Sequence, residues 1–374
     1  MKKLVNILAA SSLALLSLTA SSQGNNKPIA IIHPADLSGP GADFGRDFSL
    51  GAKVYFDHIN SQGGIKGKRI SYRTQDTAGD PAQALLTTQQ AISERSDTVI
   101  FGVTGDRAVE KIAQDSKWKN SGAPLFAAVA GNTALGVNEG VFFLRASLAE
   151  EIRSIVGQLK NLGVSSFGLA SANEFMHSAS TTLAEESSRQ GIRLTGEVLL
   201  PMSADGAAGA AGKLANGRPQ AVIVIGDTLS AAHFFKRYRT LDPGAFLCAP
   251  AMVNFRTLTS IMGTQAARGL IISQITPNPG GTLEIAHEHR RLMEKYADEP
   301  VSPATLEGFI SARMLVNLLQ KSTDSSSYAI RQVLGNETRY NLGGYELSFS
   351  KQNSNRPSKL VDLSVLNRDG RLLR

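Results

Sequence analysis

The segment HINSQGGIKGKRISYRTQD, residues 58–76, contains the end of a helix and the start of a strand. Before it, four apolar residues recur at the spacing of a helix with one buried face: Phe48, Ala52, Tyr55 and Ile59. Gly63 and Gly64 can adopt the left-handed backbone conformation that ends such a helix. Residues 69–76, RISYRTQD, then predict a strand.

A second strand precedes this helix. The run PIAIIHPA (28–35) is short and apolar, which predicts a buried strand. Residues 36–47, DLSGPGADFGRD, contain three glycines and a proline and are predicted to form a loop. The glycines of the opening segment therefore mark a boundary inside a strand–helix–strand unit.

The same alternation continues along the chain. Asp80 and Pro81 are a favourable cap and first helical residue, so a helix is predicted over 80–94. Further strands are predicted at 97–103, 123–130, 166–171, 193–200, 221–225 and 245–249. Further helices are predicted at 107–119, 148–162, 175–190, 206–215 and 229–239. Strands that alternate with helices of this length predict parallel sheets covered on both faces.

A chain of 374 residues is long enough for two domains. Two similar blocks, 28–147 and 148–275, predict an α/β protein with two doubly wound lobes. The remaining elements do not suffice for a third lobe: helices at 282–297, 303–321 and 327–334, and β-like runs at 344–350 and 359–367.

Two glycine-rich segments are predicted to cross between the lobes. They are NPGGT (278–282) and NLGG (341–344). We therefore expect an N-terminal lobe of residues 28–147 with about 278–340, and a C-terminal lobe of residues 148–277 with about 341–374.

The N-terminal residues have the pattern of a secretory signal peptide. Two lysines precede an apolar run over 4–18, and small residues follow it. We predict a signal peptide over 1–22, with Ala20 or Ser22 as its last residue; a buried N-terminal helix is the alternative. Its removal takes away two lysines and no acids, so the net charge falls from +7 to +5.

The overall composition is that of a folded globular protein, with 42% hydrophobic and 19% charged residues. Cys248 is the only cysteine, so no internal disulfide can form and no N-terminal cysteine can carry a lipid. The basic surplus is scattered and aromatic residues make up only 6%, which argues against nucleic-acid binding. These features predict a soluble periplasmic protein without a lipid anchor.

Enzymatic motifs are weak in this sequence. SKWK (116–119) has a Ser-x-x-Lys spacing, but the companion motifs Ser-Asp-Asn and Lys-Thr-Gly of penicillin-recognising hydrolases are absent. GPGADFG (39–45) lacks the glycine spacing of a dinucleotide loop. His287 and His289 stand two apart on a predicted helix and would point to different sides. We therefore predict a binding protein and not an enzyme, without metal or cofactor.

Residues 37–85 resemble the opening of the leucine/isoleucine/valine-binding family of periplasmic solute-binding proteins. Three motifs carry the resemblance: the Ser-Gly-Pro loop, the Ile-Asn to Gly-Gly-Ile-Lys-Gly turn and the Asp-Pro-Ala-Gln-Ala helix start. FFLRAS (142–147) is similar to that family's passage between lobes, and residues 305–319 and 340–372 are similar to its closing segments. The resemblance runs from residue 28 to the C-terminus.

This resemblance implies a type I periplasmic binding protein, with two Rossmann-like lobes joined by three crossovers around a small-molecule ligand. It also implies the extracytoplasmic solute-binding component of a branched-chain-amino-acid-type ABC importer, with a membrane permease as partner. We expect a monomer with no nucleic-acid partner. The same lobes also serve as ligand sensors that dock onto a receptor or regulator, and the sequence leaves this alternative open.

The ligand cleft is expected where loops leave the carboxyl ends of the strands. The resemblance matches two carboxylate-binding positions to Gly105 and Gly131, where the family's hydroxyl side chains are missing. Thr104, Asp106 and Asn132 lie beside them and are predicted to substitute, together with the glycine N–H groups. The alternative is that both glycines serve only as turn residues.

The family's acidic partner for a ligand ammonium group falls at 250–251, where no carboxylate is present. Asp227 is the predicted replacement, and its alternative role is to cap the helix at 229–239. Phe44 and Phe175 match aromatic walls of the first and second lobes, with ordinary packing as the alternative for Phe44.

These departures bear on the ligand. Each buried polar group left without a partner costs about 1–3 kcal/mol. The specific partners for both the carboxylate and the ammonium group of an α-amino acid are missing. We therefore expect a small polar organic ligand (an organic acid, an amide or an atypical amino acid) and not a branched-chain amino acid.

Overall fold

The computed structural model describes residues 27–131, 139–349 and 356–373. The predicted signal peptide (1–22) and the candidate ligand residue Asn132 lie outside these ranges. Within them, no helix is both long and apolar enough to cross a membrane. The described chain forms one sheet of five strands, one of seven strands and a separate two-stranded hairpin.

The first sheet is entirely parallel. Its strands are β1 (Ile29–Ala35), β2 (Ile70–Asp76), β3 (Val99–Phe101), β4 (Leu125–Phe126) and β5 (Val141–Phe142). Four helices connect them: α1 (Ala42–Ser61), α2 (Pro81–Glu94), α3 (Asp106–Gln114) and α4 (Ser116–Ser121). The strand order is β2-β1-β3-β4-β5. β1 and β3 are buried along almost their whole length because helices cover both faces of the sheet.

The second sheet repeats this arrangement. Its parallel strands are β6 (Ser166–Ser171), β7 (Arg193–Leu199), β8 (Ala221–Ile225), β9 (Phe246–Ala249) and β10 (Ile271–Gln274). Its helices are α5 (Leu148–Asn161), α6 (Asn173–Gln190), α7 (Ala204–Ala215), α8 (Thr228–Leu241), α9 (Phe255–Met262) and α10 (Thr264–Ala267).

The chain then returns to the first lobe before it ends on the second. The returning elements are α11 (Glu284–Tyr296), α12 (Pro303–Lys321), α13 (Ser327–Asn336), β11 (Arg339–Asn341) and β12 (Glu346–Ser348). The last strands, β13 (Asp362–Leu366) and β14 (Leu372–Leu373), add antiparallel to the second sheet. Its order is therefore β14-β13-β10-β9-β8-β6-β7. The predicted α/β fold with mainly parallel sheets is confirmed.

The order of the strands defines where a ligand can enter. β1 lies between β2 and β3, and β6 lies between β7 and β8. The chain therefore leaves β1 and β3, and likewise β6 and β8, toward opposite faces of the sheet. A crevice opens at such a switch point, outside the carboxyl ends of the strands.

The start of α1 differs from the prediction. The helix begins at Ala42, whereas the sequence predicted a loop over 36–47. Phe44 is buried one turn before Phe48 and extends the apolar face of the helix. Gly45 lies inside this helix. Only glycine fits there, because a Cβ atom would come within 2.0 Å of the Asp36 carbonyl oxygen. This glycine serves close packing, although glycine-rich sequence is more typical of loops.

Other helices and strands were divided incorrectly or missed. The helix predicted over 107–119 is interrupted by Asp115, whose carboxylate accepts the Trp118 N–H at 2.8 Å and caps α4. The short strands β5, β10, β11 and β14 and the helices α9 and α10 were not predicted. Strands of two to four residues have too little periodicity to detect and are defined by their neighbours.

The segment NLGG (341–344) was predicted to cross between the lobes, and this prediction is wrong. The segment instead forms the turn of the β11–β12 hairpin. Gly343 and Gly344 have φ values of +69° and +89°, which explains the glycine pair. The hairpin and Phe349 pack on the core of the first lobe. Residues 341–349 therefore belong with that lobe, and the remaining lobe boundaries stay a prediction.

Candidate functional site

The switch points of the two sheets face a common cavity of about 670 Å³. The first lobe contributes residues that follow β1, β2, β3 and β4. The second lobe contributes residues that follow β6, β7, β8 and β9. The cavity therefore lies where the alternation of strands and helices predicts a ligand cleft.

Five of the predicted site residues line this cavity: Phe44, Thr104, Gly105, Phe175 and Asp227. Asp106 and Gly131 do not belong to its lining, and Asn132 lies outside the described residues. The lining also contains Arg107 and Glu174, which the sequence analysis did not select.

Asp106 and Gly131 contact each other instead of the cavity. The Gly131 N–H donates to the Asp106 carboxylate at 2.7 Å, and Asp106 is buried. The Gly131 carbonyl accepts the Leu148 N–H at 3.0 Å, and a Cβ atom on Gly131 would lie 3.0 Å from Leu148. These two residues therefore hold the end of the first lobe against the start of α5.

The predicted role of the Gly105 N–H as a free donor is wrong in this geometry. That N–H donates to the Val129 carbonyl at 2.9 Å, and Gly105 has a φ of +98°. The Thr104 hydroxyl donates to the Gly102 carbonyl at 3.3 Å. The Gly102 carbonyl is local, whereas the Val129 carbonyl is brought within reach by the pairing of the segments that follow β3 and β4, which the sequence alone does not report.

Arg107 lies in the first turn of α3, whose N-cap residue, Gly105, has no side chain to cap the helix. Its side chain is exposed and lines the cavity. The N-terminus of a helix favours negative charge, and a guanidinium group adds directional donors for a carboxylate. The sequence analysis missed this residue; its place at the start of the helix predicted over 107–119, shortly after a predicted strand, is the signal that could have indicated it.

Glu174 faces the cavity from the second lobe. It lies in the first turn of α6, which follows β6 and whose N-cap residue, Ala172, offers no capping side chain. Burial raises the pKa of the Glu174 carboxyl group, and the positive charge of Arg107 opposes that shift. Opposite charges from the two lobes therefore interact across the cavity.

Asp227 caps α8, which was one of its two predicted roles. Its carboxylate accepts the Ser230 N–H at 2.9 Å and the Ser230 hydroxyl at 2.6 Å. Asp227 also lines the cavity, so contact with a ligand is geometrically accessible. Its role as partner of a ligand ammonium group stays a prediction.

Aromatic and apolar side chains form much of the remaining wall. Phe44 stacks on Phe48 with ring centres 5.9 Å apart and belongs to the core of the first lobe. Phe175 is only 4% exposed and belongs to a core cluster of the second lobe. Met252 completes this wall from the loop after β9. Both rings therefore pack in the core and face the cavity.

A comparison with protein families matches residues 28–371 to the family described as periplasmic binding protein. The chain belongs to the periplasmic binding protein family. The match covers both sheets and the cavity between them. The resemblance predicted from the opening, passage and closing segments is confirmed.

Curated relatives of this periplasmic binding protein match over short segments. Leu/Ile/Val-binding protein homolog 3 of Brucella melitensis is 31% identical over 105 residues, 28% of this chain and 28% of that protein. Leu/Ile/Val-binding protein BraC3 of Rhizobium johnstonii is 32% identical over 75 residues, 20% of each chain. The chain thus spans under a third of the length of these relatives.

Solved structures match over nearly the whole chain. A substrate-binding periplasmic protein from Ralstonia solanacearum has a TM-score of 0.84 at 24% identity, covering 92% of this chain and 99% of its own. The substrate-binding protein LivJ from Streptococcus pneumoniae, in complex with isoleucine, has a TM-score of 0.81 at 17% identity, covering 93% and 98%. These likenesses establish the fold of this periplasmic binding protein.

Two of the motifs considered for catalysis, SKWK and the His287–His289 pair, do not line the cavity of this periplasmic binding protein, whereas GPGADFG contributes Phe44 to it. Ser116 and Lys119 of SKWK are exposed on α4, and Trp118 between them is buried. On α11, His289 is buried and His287 is exposed, so the two rings point to different sides as predicted. Across the described ranges, no group of three or more His, Cys, Asp or Glu side chains could hold a metal ion.

Proposed function

We propose that this protein is the extracytoplasmic solute-binding component of a branched-chain-amino-acid-type ABC importer. Its lobes close around a small polar organic ligand, and a membrane permease recognises the closed arrangement. The cavity of about 670 Å³, lined by loops of both lobes, carries this proposal. A molecule that contacts both lobes at once stabilises their closed arrangement over the open one.

The proposed ligand is an organic acid, an amide or an atypical amino acid. Arg107, in the first turn of α3, suits an acid group, and Glu174 suits an amide or amine N–H across the cavity. Phe44, Phe175 and Met252 suit an apolar or aromatic body. Seven residues are proposed to contact the ligand: Phe44, Thr104, Gly105, Arg107, Glu174, Phe175 and Asp227.

We further propose that the protein works in the periplasm as a monomer without a lipid anchor and catalyses no reaction. Cys248, the only cysteine, is buried in β9. Burial raises the pKa of its thiol, which disfavours the reactive thiolate form. This supports a packing role for Cys248.

Native mass spectrometry of the protein isolated from its own periplasm tests this function. We expect one small molecule per chain, released on denaturation and identified by its mass and fragmentation. A branched-chain α-amino acid would contradict the proposed ligand class but not the binding function. A protein that holds no solute and binds none from a periplasmic extract would contradict both, and chemical conversion of the solute would indicate an enzyme.

Two variants that replace a charged side chain with a neutral one test the proposed polar contacts. Arg107→Gln and Glu174→Gln should each retain less of the identified solute than the wild type. Glu185→Gln removes a carboxylate from the exposed side of α6 and should retain the wild-type amount. If all three variants retain as much solute as the wild type, Arg107 and Glu174 do not belong to the site.

Transport and sensing give different results in cells. Deletion of the permease genes should abolish uptake of the identified solute if the protein serves an importer. A sensor would still change its downstream response to the solute after that deletion. Persistence of the response would favour the alternative in which the lobes dock onto a receptor or regulator.

A further inference from the structure

A buried ion cluster lies where the chain first passes from one lobe to the other. Arg145 lies between β5 and α5; its guanidinium is 3.5 Å from the Glu307 carboxylate and 4.0 Å from the Glu151 carboxylate. Arg145, Glu151 and Glu307 are only 6%, 3% and 9% exposed. Glu307 belongs to α12 of the first lobe and Glu151 to α5 of the second, so the cluster spans both lobes.

Stability alone is a poor explanation for this cluster. Buried ion pairs can often be replaced by apolar side chains without loss of stability, because removing charges from water is costly. Burial raises the pKa of the Glu307 carboxyl group, although Arg145 opposes that shift. The cluster therefore places ionisable side chains where burial disfavours charge, and its contacts point to a role in arranging its neighbours.

The Glu151 end of the cluster holds the wall of the second lobe. Its carboxylate accepts the Ala251 N–H at 2.7 Å and also the Ser273 hydroxyl. Ala251 directly precedes Met252, which lines the cavity. The loop after β9 is therefore tied inward to α5, with an apolar side chain at the cavity.

The Arg145 end of the cluster holds the wall of the first lobe. Its guanidinium lies over the Phe44 ring, 5.8 Å from the ring centre. Cations in this position are attracted to the face of an aromatic ring. A second guanidinium, that of Arg356, donates to the Arg145 carbonyl at 3.4 Å and to the Ala130 carbonyl at 2.9 Å, and so holds the Arg145 backbone.

We propose that Arg145 and Glu151 are positioning residues of the ligand cavity, which hold the Phe44 and Met252 walls and set one relative to the other through their ion pair. Neither residue belongs to the lining of the cavity, so both act through the side chains that do. The inference rests on the proposed function only in treating this cavity as the ligand site.

NMR can follow both walls without any added solute. The chain has seven methionines and 15 phenylalanines, few enough for resolved spectra with labelled methionine methyl groups and fluorinated phenylalanine. Met252→Leu and Phe44→Leu assign the two signals. We expect Glu151→Ala to shift both of them by more than a linewidth, because it removes the acceptor for Ala251 and the charge beside Arg145.

Conservative variants should separate the two connections. Glu151→Gln keeps an oxygen acceptor for the Ala251 N–H, so the Met252 signal should return to its wild-type position while the Phe44 signal stays shifted. Arg145→Lys keeps the charge but loses the planar group above the Phe44 ring. Its Phe44 signal should shift, and its Met252 signal should stay close to that of the wild type.

Glu186→Gln is the matched control. Glu186 is 1% exposed and paired with Arg189 on α6, outside the cavity. Its replacement removes a buried charge from the same lobe and should leave both signals in place.

A variant Glu151→Ala that unfolds at lower temperature but keeps both signals would overturn the proposal, since the cluster would then be structural only. A shift confined to Met252 would overturn the link between the walls. If Glu151→Ala does not fold, Glu151→Asp withdraws the carboxylate by one methylene, and unchanged signals there would be equally decisive. These readouts need no bound solute, so they fail or succeed independently of the proposed function.

Discussion

The carboxylates around the cavity stabilise the starts of loops and helices. Asp36 accepts the N–H groups of Gly39 and Gly41 at 2.7 and 2.8 Å, and Asp80 accepts the Ala82 N–H at 2.8 Å. Helices that follow parallel strands begin at the same edge of the sheet, so their capping carboxylates collect at the cleft. The acidic character of this region therefore follows in part from the fold itself.

The capping role of Asp227 can be separated from its proposed contact with a ligand. We expect Asp227→Ala to lower the free energy of unfolding by about 1 kcal/mol, because α8 loses its N-cap. Asp227→Ser should keep the stability of the wild type, since serine caps helices equally well. Urea unfolding measures both values, and equal stability of the Ala variant would contradict the capping role. Solute retention by the Ser variant then tests the ligand contact separately.

Phe175 serves the core and, by our proposal, the ligand. Phe175→Ala should lose core packing and weaken binding of the solute identified by mass spectrometry by about tenfold or more. Phe175→Leu should keep most of the stability, because it fills much of the space, but should still lose affinity with the ring. Calorimetric titration and thermal unfolding measure the two effects. Unchanged affinity in both variants would remove Phe175 from the site.

At the level of helices, the first lobe depends on a close contact between α1 and α12. A Cβ atom on Gly51 would come 1.8 Å from the Thr305 carbonyl oxygen, and one on Gly308 would come 1.9 Å from the Phe48 carbonyl oxygen. The two backbones therefore touch directly. This contact joins the helix that carries Phe44 to the helix that carries Glu307.

Adding a methyl group at this contact should force the helices apart. We expect Gly51→Ala and Gly308→Ala each to lower the free energy of unfolding by about 1–3 kcal/mol or more. Gly157→Ala is the control: Gly157 lies within α5, and its added Cβ atom would meet nothing within 4 Å. That variant should gain up to about 1 kcal/mol from helix propensity. Urea unfolding measures all three, and a neutral Gly51→Ala would show that the helices can separate freely.

At the scale of the whole molecule, two histidines are buried within the described ranges, His33 and His289, and both favour the neutral form. The His33 Nε2–H donates to the Gly102 carbonyl at 2.9 Å, and Nδ1 accepts from the Tyr72 hydroxyl at 2.7 Å. Burial lowers the pKa of His33 from 6.5 to about 4 and that of His289 from 6.5 to about 3. Neither ring nitrogen of His289 has a hydrogen-bond partner within the described ranges.

These shifts predict loss of stability in acid. Because the folded-state pKa values lie below the unfolded value of 6.5, the unfolded chain binds more protons below that pH. The contribution of these two histidines to the free energy of unfolding is fully present above pH 6.5. It decreases toward pH 4, by about 1.4 kcal/mol per pH unit for each histidine. Urea unfolding across this range should show the slope.

His289→Leu tests the origin of that slope. The variant should reduce the slope by the share of one histidine, since it removes a buried group that must become charged in the unfolded state. His287→Leu changes an exposed histidine of the same helix and is the matched control for the substitution itself. An unaltered slope in His289→Leu would assign the acid sensitivity to other groups.

Local signals in the chain were enough to predict most of the helices and strands. The 3.6-residue spacing before Ile59, the cap at Asp80 and Pro81, and the glycines at 63–64 each act within one or two turns of backbone. The predicted strand at 166–171 and the predicted helix at 303–321 agree with the observed bounds. Such elements depend on neighbouring residues, so their signals are present in the order of the amino acids.

The candidate site was only partly predictable. The loops around Thr104 and Phe175 were expected at the cleft because parallel strands bring their carboxyl ends to one edge. Arg107 and Glu174 each follow a predicted strand, but only the arrangement of both lobes showed that the two side chains face the same cavity. The hydrogen bond from the Gly105 N–H to the Val129 carbonyl depended on the pairing of two segments that are separate in sequence.

The amino-acid order was sufficient for the alternation of strands and helices and for the edge of each sheet that faces the cavity, because these follow from short-range patterns; the family followed from the resemblance of motifs. Only the tertiary structure decided which side chains meet across the lobes. Arg145 and Glu307 are distant in the chain but 3.5 Å apart. Their contact depends on the return of α12 to the first lobe, and no local pattern encodes a distance between segments that far apart.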